Sequence, residues 1–144
     1  MTRTLNRMGA MADRKLLTAR SAAAAIRIEL AADDEAAAIR LATEALAHLA
    51  RATTSEEIHD FVRAPGSTGD QRFDTLLATL TRLHLSERGA PAPEWTDAPP
   101  LAREWLPGAT GEPVPEWLAI VRAQTPALLL RKNILSRVQD WTAA

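Results

Sequence analysis

Residues 70–89 read DQRFDTLLATLTRLHLSERG, and this stretch decides the fold class. Phe73, Leu76, Leu77, Leu80, Leu83 and His84 recur at spacings of three and four, which brings them to one face of a 3.6-residue helix. No breaker interrupts the run, and Gly89 supplies its C-terminal stop. The spacing predicts a helix over 70–88 whose apolar stripe is central to the core.

Toward the N-terminus, Pro65, Gly66, Ser67 and Gly69 form a loop. Before it, Thr54 with Glu57 three residues on has the form of a capping box for a helix over 55–63, with Ile58, Phe61 and Val62 as its apolar side. Asp33 and Asp34 offer cap oxygens to a helix over 33–51 carrying Ile39, Ala42, Leu46 and Leu49. The alanine-rich run ahead of them predicts a helix over 14–31. No Gly or Pro divides these two, so one continuous helix through Asp33 is the competing reading. Residues 1–12 read as a flexible basic arm, and 13–144 as a single helical domain.

Toward the C-terminus the pattern changes, because seven of the nine prolines lie between Pro91 and Pro115. Proline removes a backbone donor and biases its predecessor away from helix, so 89–114 reads as a loop, with one turn of helix around Leu101 to Trp105. Trp95, Trp105 and Trp117 each carry roughly 150–250 Å² of ring surface to bury, so the loop is expected to be ordered against the body or held by a partner. Beyond it, Pro115 at a first helical position predicts a helix over 115–124, with Trp117, Leu118, Ile120 and Val121 as its apolar side. Thr125 as a cap before Pro126 predicts 126–132, and Ser136 with Gln139 predicts 136–142. No alternating strand and no repeat is present, so the architecture reads as all-α, with about six helices and an ordered Pro/Trp-rich loop.

The 144-residue chain has no cysteine, which excludes disulfides, thiolate metal sites and cysteine nucleophiles, and fits a reducing cytoplasm. No apolar run approaches the ~20 residues that span a bilayer, and the first thirty residues lack the apolar core of a secretory signal. The chain therefore reads as soluble and cytoplasmic, without a membrane partner. Net charge is −1 but unevenly placed: +4 over residues 1–30, −5 over 31–70, and balanced beyond. The basic arm could meet nucleic acid or pair with its acidic neighbour. Nucleic-acid contact is the weaker expectation, since the basic residues are not interleaved with aromatics.

Catalytic ingredients are thin: three histidines, no tyrosine, no GxSxG elbow, no Walker loop and no GxGxxG. The chain reads as a non-enzyme. Glu56 with His59 has the Glu-x-x-His spacing of a di-iron bundle, but the required second pair is missing, and Glu44/His48 and His84/Glu87 read as surface neighbours. Neither metal nor cofactor is expected.

An acid precedes every tryptophan: Glu94-Trp95, Glu104-Trp105, Glu116-Trp117 and Asp140-Trp141. Either the rings fill grooves between helices while the acids face water, or they form a partner-binding surface, where tryptophan and arginine are enriched. In the second reading Trp95, Trp105 and Trp117 are the anchors and Arg103 and Arg122 the flanking charges. Arg131, Lys132 and Arg137 would extend the rim, or make a solvated basic face.

Arg72-Phe73-Asp74-x-Leu76-Leu77-Ala78, Pro91-Ala92-Pro93-Glu94-Trp95-Thr96, Trp105-Leu106-Pro107, and Thr125-Pro126-Ala127 followed by Arg131-Lys132-Asn133-Ile134 resemble a poorly characterised actinobacterial all-α family. Its members look like the C-terminal half of helix-turn-helix regulators, or like antitoxin-like companions of abortive-infection nucleotidyltransferase toxins. The resemblance covers about residues 70–138 and implies an antitoxin-like or regulatory interaction protein, whose partner could be a cognate toxin, and it carries over no catalytic residues. No helix-turn-helix stands in residues 1–65, and Asn133 occupies a position where glycine is expected. A DNA-binding regulator and a structural subunit of a helical assembly are the alternatives, and the oligomeric state stays open.

Overall fold

In a computed structural model, residues 17–141 are described. The basic arm at 1–12, residues 14–16 of the expected first helix, and residue 142 lie outside them. The described chain is all-α: α1 (Ala19–Ala31), α2 (Glu35–Arg51), α3 (Ser55–Phe61), α4 (Gln71–Arg88), α5 (Pro115–Gln124) and α6 (Ala127–Leu130), with 3-10 turns at Glu94–Thr96 and Val138–Asp140.

α4 is the central helix, and its burial exceeds a stripe. From Phe73 to Thr81 every residue but Asp74 is buried, and Leu85 is buried as well, so this stretch is covered nearly all round. Its threonines fit there because the hydroxyls of Thr79 and Thr81 donate to the carbonyls of Thr75 and Leu77, both at 2.7 Å. Phe73, Leu76 and Leu80 join Ile26, Ala38, Ala42, Leu46, Leu129 and Ile134 in one apolar cluster. Leu77 and Leu85 join Ala19, Ala22, Ala23, Ala45, Leu49 and Phe61 in a second. Both clusters include residues of α1 and α2, which pack on each other and on α4, with alanines at much of the shared seam.

Three helix ends share one device. Gly89 takes φ 68°, with its N–H donating to Ser86 O at 3.1 Å and the Ala90 N–H to Leu85 O at 2.9 Å. Asp33 (φ 58°) repeats the pattern after α1, and Asn133 (φ 65°) after α6, with Asp34 N–H reaching Glu29 O and Ile134 N–H reaching Leu129 O. Aspartate and asparagine tolerate this left-handed conformation better than most residues, which is how the chain breaks at Asp33 without glycine. Asp34 then caps α2 by accepting from Ala37 N–H at 2.9 Å. The continuous helix through Asp33 is thereby excluded.

Several expected boundaries are corrected. α1 starts at Ala19, not Arg14, because Thr18 and Ser21 form a capping box there. The box of Thr54 and Glu57 is present, but α3 ends at Phe61. Thr125 does not cap a helix: its hydroxyl donates to Val121 O at 2.7 Å and accepts from Ser136 N–H at 2.9 Å. Ser136 is buried with its backbone N–H on Thr125 and its hydroxyl donating to Asp140 Oδ2 at 3.5 Å, and the expected helix over 136–142 reduces among the described residues to the turn Val138–Asp140, where Asp140 also accepts from Arg137 N–H at 3.0 Å. The helical turn expected at Leu101 to Trp105 is absent. That backbone bends at Ala102 and Arg103 and pairs at Leu101 and Trp105 with residues 132–135, and the short turn sits instead at Glu94–Thr96.

Candidate functional site

The Pro/Trp loop cannot pair its backbone within a helix, so it pairs with the segment after α6. Leu101 N–H donates to Lys132 O (3.0 Å), Trp105 N–H to Asn133 O (2.8 Å) and Leu135 N–H to Trp105 O (2.8 Å). Asn133 Nδ2 adds a bond to Leu101 O at 2.6 Å. A single parallel bridge, Trp105 to Ile134, results. The loop is therefore fixed to the body along its own backbone.

Its two rings are consumed by that fixation. Trp95 is half-buried against the second apolar cluster, and its indole N–H donates to Val62 O at 2.8 Å. Trp105 meets Phe73 edge-on, with ring centres 5.1 Å apart, while the Arg72 guanidinium lies 5.1 Å from its centre. Arg72 is held by Asp70 at 2.8 Å and by Glu35. The hydrogen bond from Arg72 holds the Asp70 carboxyl below its ordinary range, and the same bond raises the guanidinium further above its own. Both shifts point the same way.

Trp117 is different. It is 42% exposed on α5, with Ile120 at 45% and Val114 at 60%. The four apolar residues expected to form one side of this helix divide: Val121 is buried at 1% and Leu118 half-buried, whereas Trp117 and Ile120 face outward. Trp117 and Ile120, three residues apart, form the exposed flank of the docked side of the helix, and Val114, the extended residue just before it, adds a third exposed apolar side chain. The guanidinium of Arg137 lies 4.8 Å from the Trp117 ring centre and Val138, 47% exposed, follows it in the chain.

Of the proposed flanking charges, Arg103 is exposed and has no ion-pair partner among the described residues, while Arg122 pairs with Glu104 at 2.6 Å and ties α5 to the loop. The structure does not gather the five residues into one patch: Trp95 lies against Val62, Trp105 against Phe73 and Trp117 on α5. Val114, Ile120 and Val138 are exposed apolar residues outside the expected contact set. The broad apolar side of α5 is a signal for Ile120 alone, since Val114 precedes that helix and Val138 lies in the turn Val138–Asp140.

His48 Nδ1 accepts from Leu17 N–H at 2.6 Å. Burial pushes the His84 imidazole below its ordinary pKa, Arg88 acting in the same sense and Glu87 against it. Among the described residues no three His, Cys, Asp or Glu side chains converge as a metal site would need, and no helix is long and apolar enough to cross a membrane. No protein-family model, curated protein or solved structure matches the chain.

Proposed function

We propose that this chain is a cytoplasmic, non-enzymatic interaction protein, an antitoxin-like partner that neutralises a nucleotidyltransferase-type toxin through α5. The observation that carries the reading is the outward exposure of Trp117 and Ile120 on a helix that buries Val121, with exposed Val114 just before it. Large apolar side chains grouped outside a core mark contact surfaces, and tryptophan is the residue most enriched among contacts whose truncation costs most. Arg103, without an ion-pair partner among the described residues, supplies a charge suited to an acidic edge on the partner, while Arg137 and Arg122, paired with Asp140 and Glu104, brace the surface beside it. The resemblance over residues 70–138 supplies the class of partner. Neutralisation is then steric: the α5 face covers the toxin's substrate approach.

The test is co-expression with a nucleotidyltransferase toxin encoded beside this chain's own gene. A complex that survives gel filtration, restored growth, and loss of both on combining Trp117→Ala with Ile120→Asp are expected. A toxin that still arrests growth, or a complex indifferent to those substitutions, overturns the reading.

A further inference from the structure

A cleft of about 370 Å³ opens between α2, α4 and the turn Val138–Asp140. Leu46, Ala50, Leu80, Leu83, Val138 and Trp141 make it apolar. Its volume lies within the roughly 300–1,000 Å³ of small-molecule sites, which pair hydrocarbon walls with a few polar groups. The polar groups here are Arg51, His84 and Glu87.

Two observations point to the kind of occupant. Trp141 is 8% exposed, yet its indole N–H has no hydrogen-bond partner among the described residues, and the same holds for His84 Nε2. A polar hydrogen shut off from water is costly, and an oxygen acceptor placed beside it removes the cost. Arg51 is exposed and makes no ion pair among the described residues, whereas Arg88 is already spent on the carbonyls of Leu49 and Ala52. Indole and guanidinium can only donate, so donors outnumber the lone carboxylate, Glu87.

We propose that this cleft binds an amphipathic monocarboxylic acid of medium chain length, with its hydrocarbon body against Leu46, Leu80, Leu83 and Trp141 and its carboxylate among the donors headed by Arg51. A cationic amphiphile of the same length finds only Glu87 as an acceptor and meets Arg51 unfavourably. The apolar walls alone do not distinguish the two, so the head group carries the specificity.

The experiment is a proton–nitrogen NMR titration of the full chain with decanoate, compared with decyltrimethylammonium and decanol. The Trp141 indole signal is expected to shift saturably with decanoate, and the ammonium compound to bind at least about ten-fold more weakly. Arg51→Gln should weaken decanoate about ten-fold and leave decanol unchanged. Ala50→Trp, at an exposed position on the cleft wall, should block binding without unfolding the chain. An indole signal that does not move in the full chain, the result if the chain's own terminal residues fill the cleft, overturns the proposal. Equal affinity for the acid and the ammonium compound, or an Arg51→Gln variant indifferent to decanoate, also overturns it.

Discussion

The tripeptide Glu-Trp-Leu occurs twice, at 104–106 in the Pro/Trp loop and at 116–118 on α5, and the two rings have opposite fates. Trp105 lies in an extended segment bonded on both sides to residues 133 and 135, so its ring is fixed over Phe73. Trp117 lies on a helix that satisfies its own backbone and docks through Val121, which leaves the ring to the solvent side. In both copies, as at Glu94 and Asp140, the acid faces water. The local sequence thus fixes where the carboxylate goes, and the backbone's pairing decides the ring.

The comparison breaks most readily at Trp105. Trp105→Ala should cost about 3 kcal/mol in denaturant unfolding, since it removes the Phe73 contact and the platform under Arg72. A loss below about 1 kcal/mol would place Trp105 with Trp117 as a surface ring. Trp95→Phe keeps the packing but leaves Val62 O without its donor, and about 1 kcal/mol is expected. Comparing it with Trp95→Ala separates the hydrogen bond from the ring.

A smaller effect is tied to pH. Because the folded-state pKa of His84 lies below its ordinary value of 6.5, its neutral form contributes fully above that pH, and stability declines as pH falls through 6.5 toward the folded pKa. His84→Gln should flatten that part of the stability profile while leaving the acid limb near the carboxylate range, where Asp70 and Glu57 regain protons, intact. An unchanged slope between neutrality and that limb would mean His84 is solvated like a free imidazole. The least effect on folding is expected at Trp117: Trp117→Ala should alter unfolding by no more than about 0.5 kcal/mol. Its melting curve should overlay that of the parent, with partner binding as the property lost.

Much of this was legible along the chain. The stripe on α4, the Gly89 stop, the Thr54/Glu57 box and Pro115 at the head of α5 are local signals, each decided by residues within about one helical turn. Errors fell where a side chain found a distant partner. Thr125 looked like a cap, but Ser136 claimed its hydroxyl; the Leu101–Trp105 segment looked ready to turn, but residues 132–135 offered it a strand-like edge. Residue type alone does not separate Trp105 from Trp117.

The sequence by itself determined the all-α class, the order of the helices and most of their ends, because helix periodicity and caps are set by neighbours at short range. Tertiary structure alone decided which indole is packed, which arginine is already paired, and that α4 is covered on nearly every side. Those outcomes depend on backbone and side-chain partners tens of residues away, such as Trp105 with Asn133 and Arg72 with Glu35. Burial is a property of the assembled fold, and identical tripeptides therefore ended in opposite environments.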